Sequence, residues 1–205
     1  MDGKAFTPSK SAPADQYVGQ TDVQKSRTPF APQRRALLRS ALGLGVMVAG
    51  GLLTRHARAG ELTLGHPAPP LVLHTIDGKN IATRDLVGQV VIATFWATWC
   101  EPCHAEMLLL SDYAARRARD GLKVLGFSLD TPENLPQVRT MAAKLSFPVG
   151  LLGSPWAGDY GRIWRCPVSF VIDRKGCLAD NGWDDAQPAW TKERLQRVVE
   201  PLLAG

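Results

Sequence analysis

The chain alternates apolar runs with polar, turn-forming stretches, and the period of each run predicts an element. Val90-Val91-Ile92-Ala93-Thr94-Phe95 is a nearly continuous apolar run, the pattern of a strand buried on both faces. From Ala105 to Ala118 apolar positions recur at helical spacing, at Met107, Leu110 and Ala114, and Gly121 ends the segment. Arg116, Arg117 and Arg119 near its end suit the negative pole of the helix dipole. Lys123 to Asp130 reads as the next strand, parallel to the first because a helical crossover joins them. Thr131-Pro132-Glu133 opens a helix reaching about Leu145, in which Pro136 is tolerable only in the first turn. Phe147 to Leu152 reads as a strand and Ala157 to Ile163 as a short helix. Val168 to Ile172 and Leu178 to Trp183 form a hairpin around Asp173-Arg174-Lys175-Gly176, and a last helix covers Thr191 to Leu203. Ahead of all these, Leu71-Val72-Leu73 and a strand near Asn80 to Ala82 flank the turn Ile76-Asp77-Gly78-Lys79, and Thr83 to Leu86 reads as a helical turn.

The first 59 residues follow a different rule. Residues 1–33 are polar, without apolar periodicity, and read as disordered. Gln33-Arg34-Arg35-Ala36-Leu37-Leu38-Arg39 follows, then the apolar run Ala41 to Leu53 and the small-residue ending Ala57-Arg58-Ala59 before Gly60. A charged region, a short apolar region and a cleavage site occur in the order of a signal peptide. The 13-residue run falls short of the ~20 residues a spanning helix needs, and Gly43, Gly45, Gly50 and Gly51 weaken it. Arg34-Arg35 resembles a twin-arginine signal, departing from it at Gln33 and Leu37, so the export machinery is an expected partner. Ordinary secretion and an uncleaved membrane anchor stay open. All three place the rest of the chain outside the cytoplasm, in the periplasm, and divide it into a leader (1–59) and a single domain (60–205).

Charge sharpens that division. Of 205 residues 45% are hydrophobic, enough for one domain with a sizeable core. The net charge of +5 belongs to the leader, where nine Lys and Arg face three Asp; the remainder carries a balance of −1. Nothing there suggests a nucleic-acid partner.

The chemistry lies at Trp96-Ala97-Thr98-Trp99-Cys100-Glu101-Pro102-Cys103, between the apolar strand and the helix. Two cysteines three apart at a helix start can both reach one external disulfide, and the positive end of the helix favours the nucleophilic thiolate. Pro102 suits a first turn, where its missing N–H has no partner. A structural zinc site would need a second closely spaced pair, C-x-x-C or C-x-H, and the sequence has none. Cys100 is read as the exposed attacking thiol and Cys103, further into the helix, as the resolving one. Trp96 and Trp99 would wall the site. Glu106, three residues beyond Cys103, shares its helix face; by spacing alone it reads as an exposed glutamate, and His104 as a solvated one-turn neighbour. Cys166 precedes Pro167 at the start of a strand. It either lies near the pair, as a competing thiol or third metal ligand, or fills the core as a small apolar residue, which is the preferred reading. A Cys166–Cys177 bridge is rejected, because a six-residue strand holds its ends ~20 Å apart against a disulfide reach of ~7 Å.

Phe95-Trp96-Ala97-Thr98-Trp99-Cys100-Glu101-Pro102-Cys103 resembles the active-site stretch of thioredoxin-fold proteins, most of all the extracytoplasmic TlpA/ResA branch of thiol–disulfide oxidoreductases, and the likeness runs from about Leu64 to Leu203. The resemblance implies an α/β thioredoxin fold, a central mixed sheet flanked by helices. An N-terminal hairpin would precede it, and an insert formed by the helix and strand between residues 131 and 152 would extend it. It implies a cis Pro167 opposite the cysteine pair, with substrate binding by Trp96, Trp99, Cys166 and Pro167, and a functional Glu106. Thr94 stands where thioredoxins have a buried aspartate, leaving Glu106 or water as proton acceptor. The implied activity is reduction of disulfides in client proteins, apocytochrome c among them, with electrons from a membrane thiol donor and no cofactor. Two other readings are a copper(I)-binding module of Cys100, Cys103 and Cys166 and a disulfide oxidant of the same fold. A detoxifying peroxidase is disfavoured by the C-x-x-C spacing.

Overall fold

The computed structural model of the chain describes residues 62–205. The leader expected over residues 1–59, with its paired arginines and apolar run, lies outside the described residues, among which no helix is long and apolar enough to cross a membrane.

A short antiparallel hairpin comes first, β1 (Val72–His74) with β2 (Asn80–Ala82), then a 3-10 turn at Thr83–Leu86. The central strand β3 (Val90–Trp96) leads into α1 (Glu101–Arg117), which returns to β4 (Leu122–Ser128). After α2 (Leu135–Ala142) come β5 (Val149–Leu151), the hairpin of β6 (Val168–Ile172) and β7 (Leu178–Asn181), and the helices α3 (Lys192–Val198) and α4 (Glu200–Ala204). The five-stranded sheet has the order β5-β4-β3-β6-β7. β3, β4 and β5 run parallel, β6 is antiparallel to β3, and β7 antiparallel to β6. This is the mixed sheet, hairpin and edge extension expected from the resemblance.

The period of two explains how an unbroken apolar strand serves two cores. Val90, Ile92 and Trp96 join the cluster beneath the helices, with Met107, Leu110 and Ala114 of α1, Val138 of α2 and Leu195 of α3. Val91, Ala93 and Phe95 join the opposite cluster, with Phe127 of β4, Phe170 of β6, and Leu71 and Leu73 of the N-terminal segment. Phe95 stacks on Phe127 at 5.1 Å and meets the edge of Phe170 at 5.9 Å, within the range of favourable aromatic pairing. The hairpin is sutured to the sheet edge at Gly150, where an added Cβ would lie 1.9 Å from the His74 carbonyl oxygen. Only glycine permits that approach.

Prolines account for two of the departures from expectation. The helix expected over residues 131–145 is a 3-10 turn (Pro132–Asn134) followed by α2, because Pro136 has no N–H to bond the Pro132 carbonyl, which Leu135 N–H takes instead. The expected last helix is broken at Val199 for the same reason, Pro201 lacking the N–H that would bond Arg197. The short helix expected at residues 157–163 is a single 3-10 turn, Gly158–Tyr160. α1 begins at Glu101 rather than near Ala105, so Cys100 is its N-cap residue and Cys103 lies in its first turn. At the other end, Gly121 sits at φ 83° and closes the chain with its N–H on the Ala118 carbonyl.

Candidate active site

The C-terminal end of β3 and the first turn of α1 carry the cysteine pair. Cys100 and Cys103 form a disulfide, with Cα atoms 5.3 Å apart. Cys103 is fully buried, and Cys100 is 5% exposed. The first cysteine is therefore the more accessible, but it is not the exposed thiol read from the sequence, because the turn before it folds back with Cys100 N–H on the Ala97 carbonyl.

Two flanking segments hold the pair. On one side the buried Asp130, just after β4, accepts the Thr98 N–H at 2.8 Å, the Thr98 hydroxyl at 2.6 Å and the Ser128 hydroxyl at 2.6 Å. The half-buried His104 ring reaches the Thr98 carbonyl oxygen at 2.9 Å through Nε2, so it is a brace for this turn rather than a solvated residue. On the other side Cys166 and Pro167 are joined by a cis peptide bond, as the resemblance implies. Arg165 pins that segment, donating to the carbonyls of Gly182 (2.6 Å), Trp183 (3.2 Å) and Asp185 (2.9 Å) while lying over the rings of Trp164 and Trp183. The outcome is that the sulfurs of Cys100, Cys103 and Cys166 all lie within 4.8 Å of one another.

Residues 64–180, more than half of the chain, match the AhpC/TSA family. The chain belongs to that family. Among its relatives, the thiol-disulfide oxidoreductase ResA of Bacillus thuringiensis (strain Al Hakam) is 31% identical over 143 residues, spanning 69% of this chain and 80% of that protein. The thioredoxin-like protein YneN of Bacillus subtilis (strain 168) is 32% identical over 119 residues, 57% of this chain and 69% of that one. The crystal structure of a thiol:disulfide interchange protein of the thioredoxin family from Chlorobium tepidum TLS superposes with a TM-score of 0.55 at 28% identity, covering 70% of this chain and 99% of that one. This AhpC/TSA member has the thioredoxin fold and is a thiol–disulfide oxidoreductase.

Within this thioredoxin-fold enzyme, Trp99 and Trp96 part company. Trp99 is 66% exposed and stands between two grooves. One, of about 570 Å³, is lined by Pro132, Pro155, Ile163, Trp164 and Cys166; the other, of about 530 Å³, by His104, Leu108 and Met141. Trp96 is fully buried and walls nothing. As the last residue of β3 it shares the face of Val90 and Ile92, so the pleat sends its ring into the core beneath α1.

Glu106 overturns its spacing-based reading as well. It is 4% exposed. Its Oε2 accepts the Trp190 N–H at 2.9 Å, and its Oε1 the Thr94 hydroxyl at 3.4 Å. Burial pushes its carboxyl from the ordinary 4.5 up to about 7, against the downward pull of those two donors and of Arg194. Thr94, which by the resemblance stands in the place of a buried strand aspartate, thus donates to a buried carboxyl group supplied by the helix. Nor is Cys166 only a core filler. It is half-buried and packs on the core, but its sulfur lies against the disulfide. Burial pushes its thiol up, and the charges of Asp130 and Glu106 push it further. Cys177, in the turn just before β7, is a second free thiol outside this cluster.

Asp130 and Arg165 carried no sequence signal strong enough to single them out: an aspartate ending a strand and an arginine before a cysteine are ordinary surface patterns. Arg194 is the third such residue. It is buried, pairs with Asp180 at 2.6 Å and lies 4.2 Å from the Trp190 ring centroid, holding the segment whose N–H reaches Glu106.

The folded protein keeps the Glu106 proton up to about pH 7, whereas the unfolded chain releases it near 4.5. The folded state binds more protons in that window, so this residue makes stability fall as pH rises from 4.5 to 7, by at most about 3 kcal/mol. Glu106→Gln keeps a carbonyl oxygen to accept the Trp190 N–H, turns the atom facing Thr94 into an amide donor that the hydroxyl oxygen can accept, and has no proton to lose. It is expected to flatten the slope and to be the more stable form at pH 8, measured by urea unfolding at pH 5 and pH 8. Equal slopes in the two proteins would mean that Glu106 is ionised throughout.

Proposed function

We propose that the protein is an extracytoplasmic reductase of disulfides in client proteins, with Cys100 as nucleophile and Cys103 as resolving thiol. The observation that carries the reading is Glu106, buried on the helix face of Cys103 with a carboxyl titrating near neutrality. A carboxylate there opposes thiolate formation, and a pair that ionises reluctantly returns more readily to the disulfide, giving up its electrons. The helix N-terminus still supplies enough thiolate at Cys100 for attack.

In the reduced enzyme the Cys100 thiolate attacks one sulfur of the client disulfide. A Cys100–client bond forms, and the other client sulfur leaves as a thiolate and takes up a proton. Cys103 gives its proton to Glu106 or water and attacks Cys100, closing the Cys100–Cys103 disulfide and expelling the second client sulfur as a thiolate, which takes that proton up. Two electrons have passed to the client. The resting pair is then recharged by a dithiol donor, which the resemblance makes a membrane protein, and the reaction uses no cofactor. Unfolded apocytochrome c is the client the resemblance suggests. The grooves beside Trp99 and before Pro167 fit that class, since extended polypeptide can lay apolar side chains against Trp99, Trp164 and Ile163.

Cys103→Ser is expected to accumulate a mixed disulfide on Cys100, whereas Cys100→Ser accumulates little; mass spectrometry of trapped adducts reads both, and the reverse pattern would exchange the two roles. Equilibration of the wild type with glutathione should place its potential near the ~−270 mV of thioredoxin, while a value near −120 mV would make it an oxidant. The leader, read as a twin-arginine export signal at Arg34-Arg35, implies that changing both arginines to lysine stops export of a passenger fused after residue 65. Undiminished export would point to the ordinary secretory route.

A further inference from the structure

Thiol–disulfide exchange with a client takes two sulfurs from the enzyme, and this site holds three. Cys100 and Cys103 come from the first turn of α1, and Cys166 from the cis-proline segment before β6, pinned independently by Arg165. Their sulfurs lie within 4.8 Å of one another although two are joined in a disulfide. Reduction by an external dithiol, which leaves as a disulfide after supplying two electrons and two protons, converts all three to thiols. Three sulfurs around one ion at a metal–sulfur distance of ~2.3 Å sit ~4 Å apart in a trigonal plane. Cys166 already stands within 4.8 Å of both other sulfurs, and breaking the disulfide frees Cys100 and Cys103 to part toward that spacing.

We infer that Cys100, Cys103 and Cys166 of the reduced protein form a trigonal copper(I) site, which formation of the Cys100–Cys103 disulfide abolishes. The donor set selects the ion. Thiolates are soft ligands that favour copper(I), and no histidine or carboxylate belongs to the cluster among the described residues. Zinc would require a fourth ligand to complete its tetrahedron. Copper(I) displaces the thiol protons to solvent and keeps its charge, so binding moves no electron. In the oxidised protein the disulfide removes two thiolates and leaves Cys166 alone. Occupancy is thereby tied to the redox state of the pair. Cys100 and Cys103 are shielded from water, Cys166 is half-buried, and the groove past Trp99, Trp164 and Cys166 gives a partner access to them. This role goes beyond client reduction and does not depend on the direction in which exchange runs.

The test is anaerobic titration of the full chain, reduced and freed of reductant, with copper(I) against a chromophoric copper(I) chelator. One equivalent is expected per chain with the reduced wild type and none with the disulfide form. Cys166→Ser should weaken binding by at least about tenfold, because a ligand is lost, and Cys177→Ser should bind as the wild type does. In the wild type itself, copper(I) should protect Cys166 from iodoacetamide, read by peptide mass spectrometry, which keeps the inference testable should the serine variant fold poorly. Binding to Cys166→Ser at wild-type strength, an unprotected Cys166 in the copper-loaded protein, or no binding at all would overturn it. Trapping by Cys103→Ser is read without copper, so failure here and failure of the reductase reading are separate results.

Discussion

The site depends on β3 being hydrogen-bonded along both edges by neighbours of opposite direction. The parallel partner β4 ends where β3 ends, which brings Asp130 beside the turn that carries Thr98. The antiparallel partner β6 begins where β3 ends, which brings Cys166 and Pro167 to the same place from the other side. Three segments distant in sequence therefore converge at one end of one strand. A one-residue slip of β3 would exchange its faces, moving Thr94 away from Glu106 and Trp96 out of the helical core.

Apolar packing places these segments, but buried polar bonds set their registration. Glu106 ties α1 to Trp190, 84 residues away, and Asp130 ties Thr98 to the end of β4 across 32 residues. Each of these carboxylates is costly inside the protein, and each is met by donors, since a buried polar atom left unpaired costs about 1–3 kcal/mol. Arg194 belongs to the same arrangement. Its charge is buried against Asp180, Asp185 and the face of Trp190, so removing Arg194 would leave the partly buried Asp180 without its cation.

The electrostatics at the sulfurs are opposed by construction. The helix N-terminus draws negative charge toward Cys100, while Glu106 and Asp130 resist it. The same two carboxylates act on Cys166, which sits among them as a thiol that exchange does not require. A third sulfur in a negative, shielded pocket is better suited to a soft cation than to competition for the mixed disulfide.

How much of this was legible in the chain follows from what sequence encodes directly. Local periodicity marked β3, α1 and the β6–β7 hairpin, and the spacing of Cys100 and Cys103 marked the chemistry, because both are properties of neighbouring residues. The prolines that shorten α2 and split α3 from α4 stand in the sequence too, but a proline's missing N–H ends a helix only where packing does not carry it through. Burial was not legible. Glu106 looks like any helix glutamate until Trp190 and Thr94 close over it, and Trp96 looks like a companion of Trp99 until the pleat of β3 turns it inward. The position of Cys166 was decided entirely by strand order: 63 residues separate it from Cys103, and only the antiparallel pairing of β6 with β3 brings their sulfurs together. Spacing along the chain determined which residues were chemically equipped, and the sheet's register decided which of them meet.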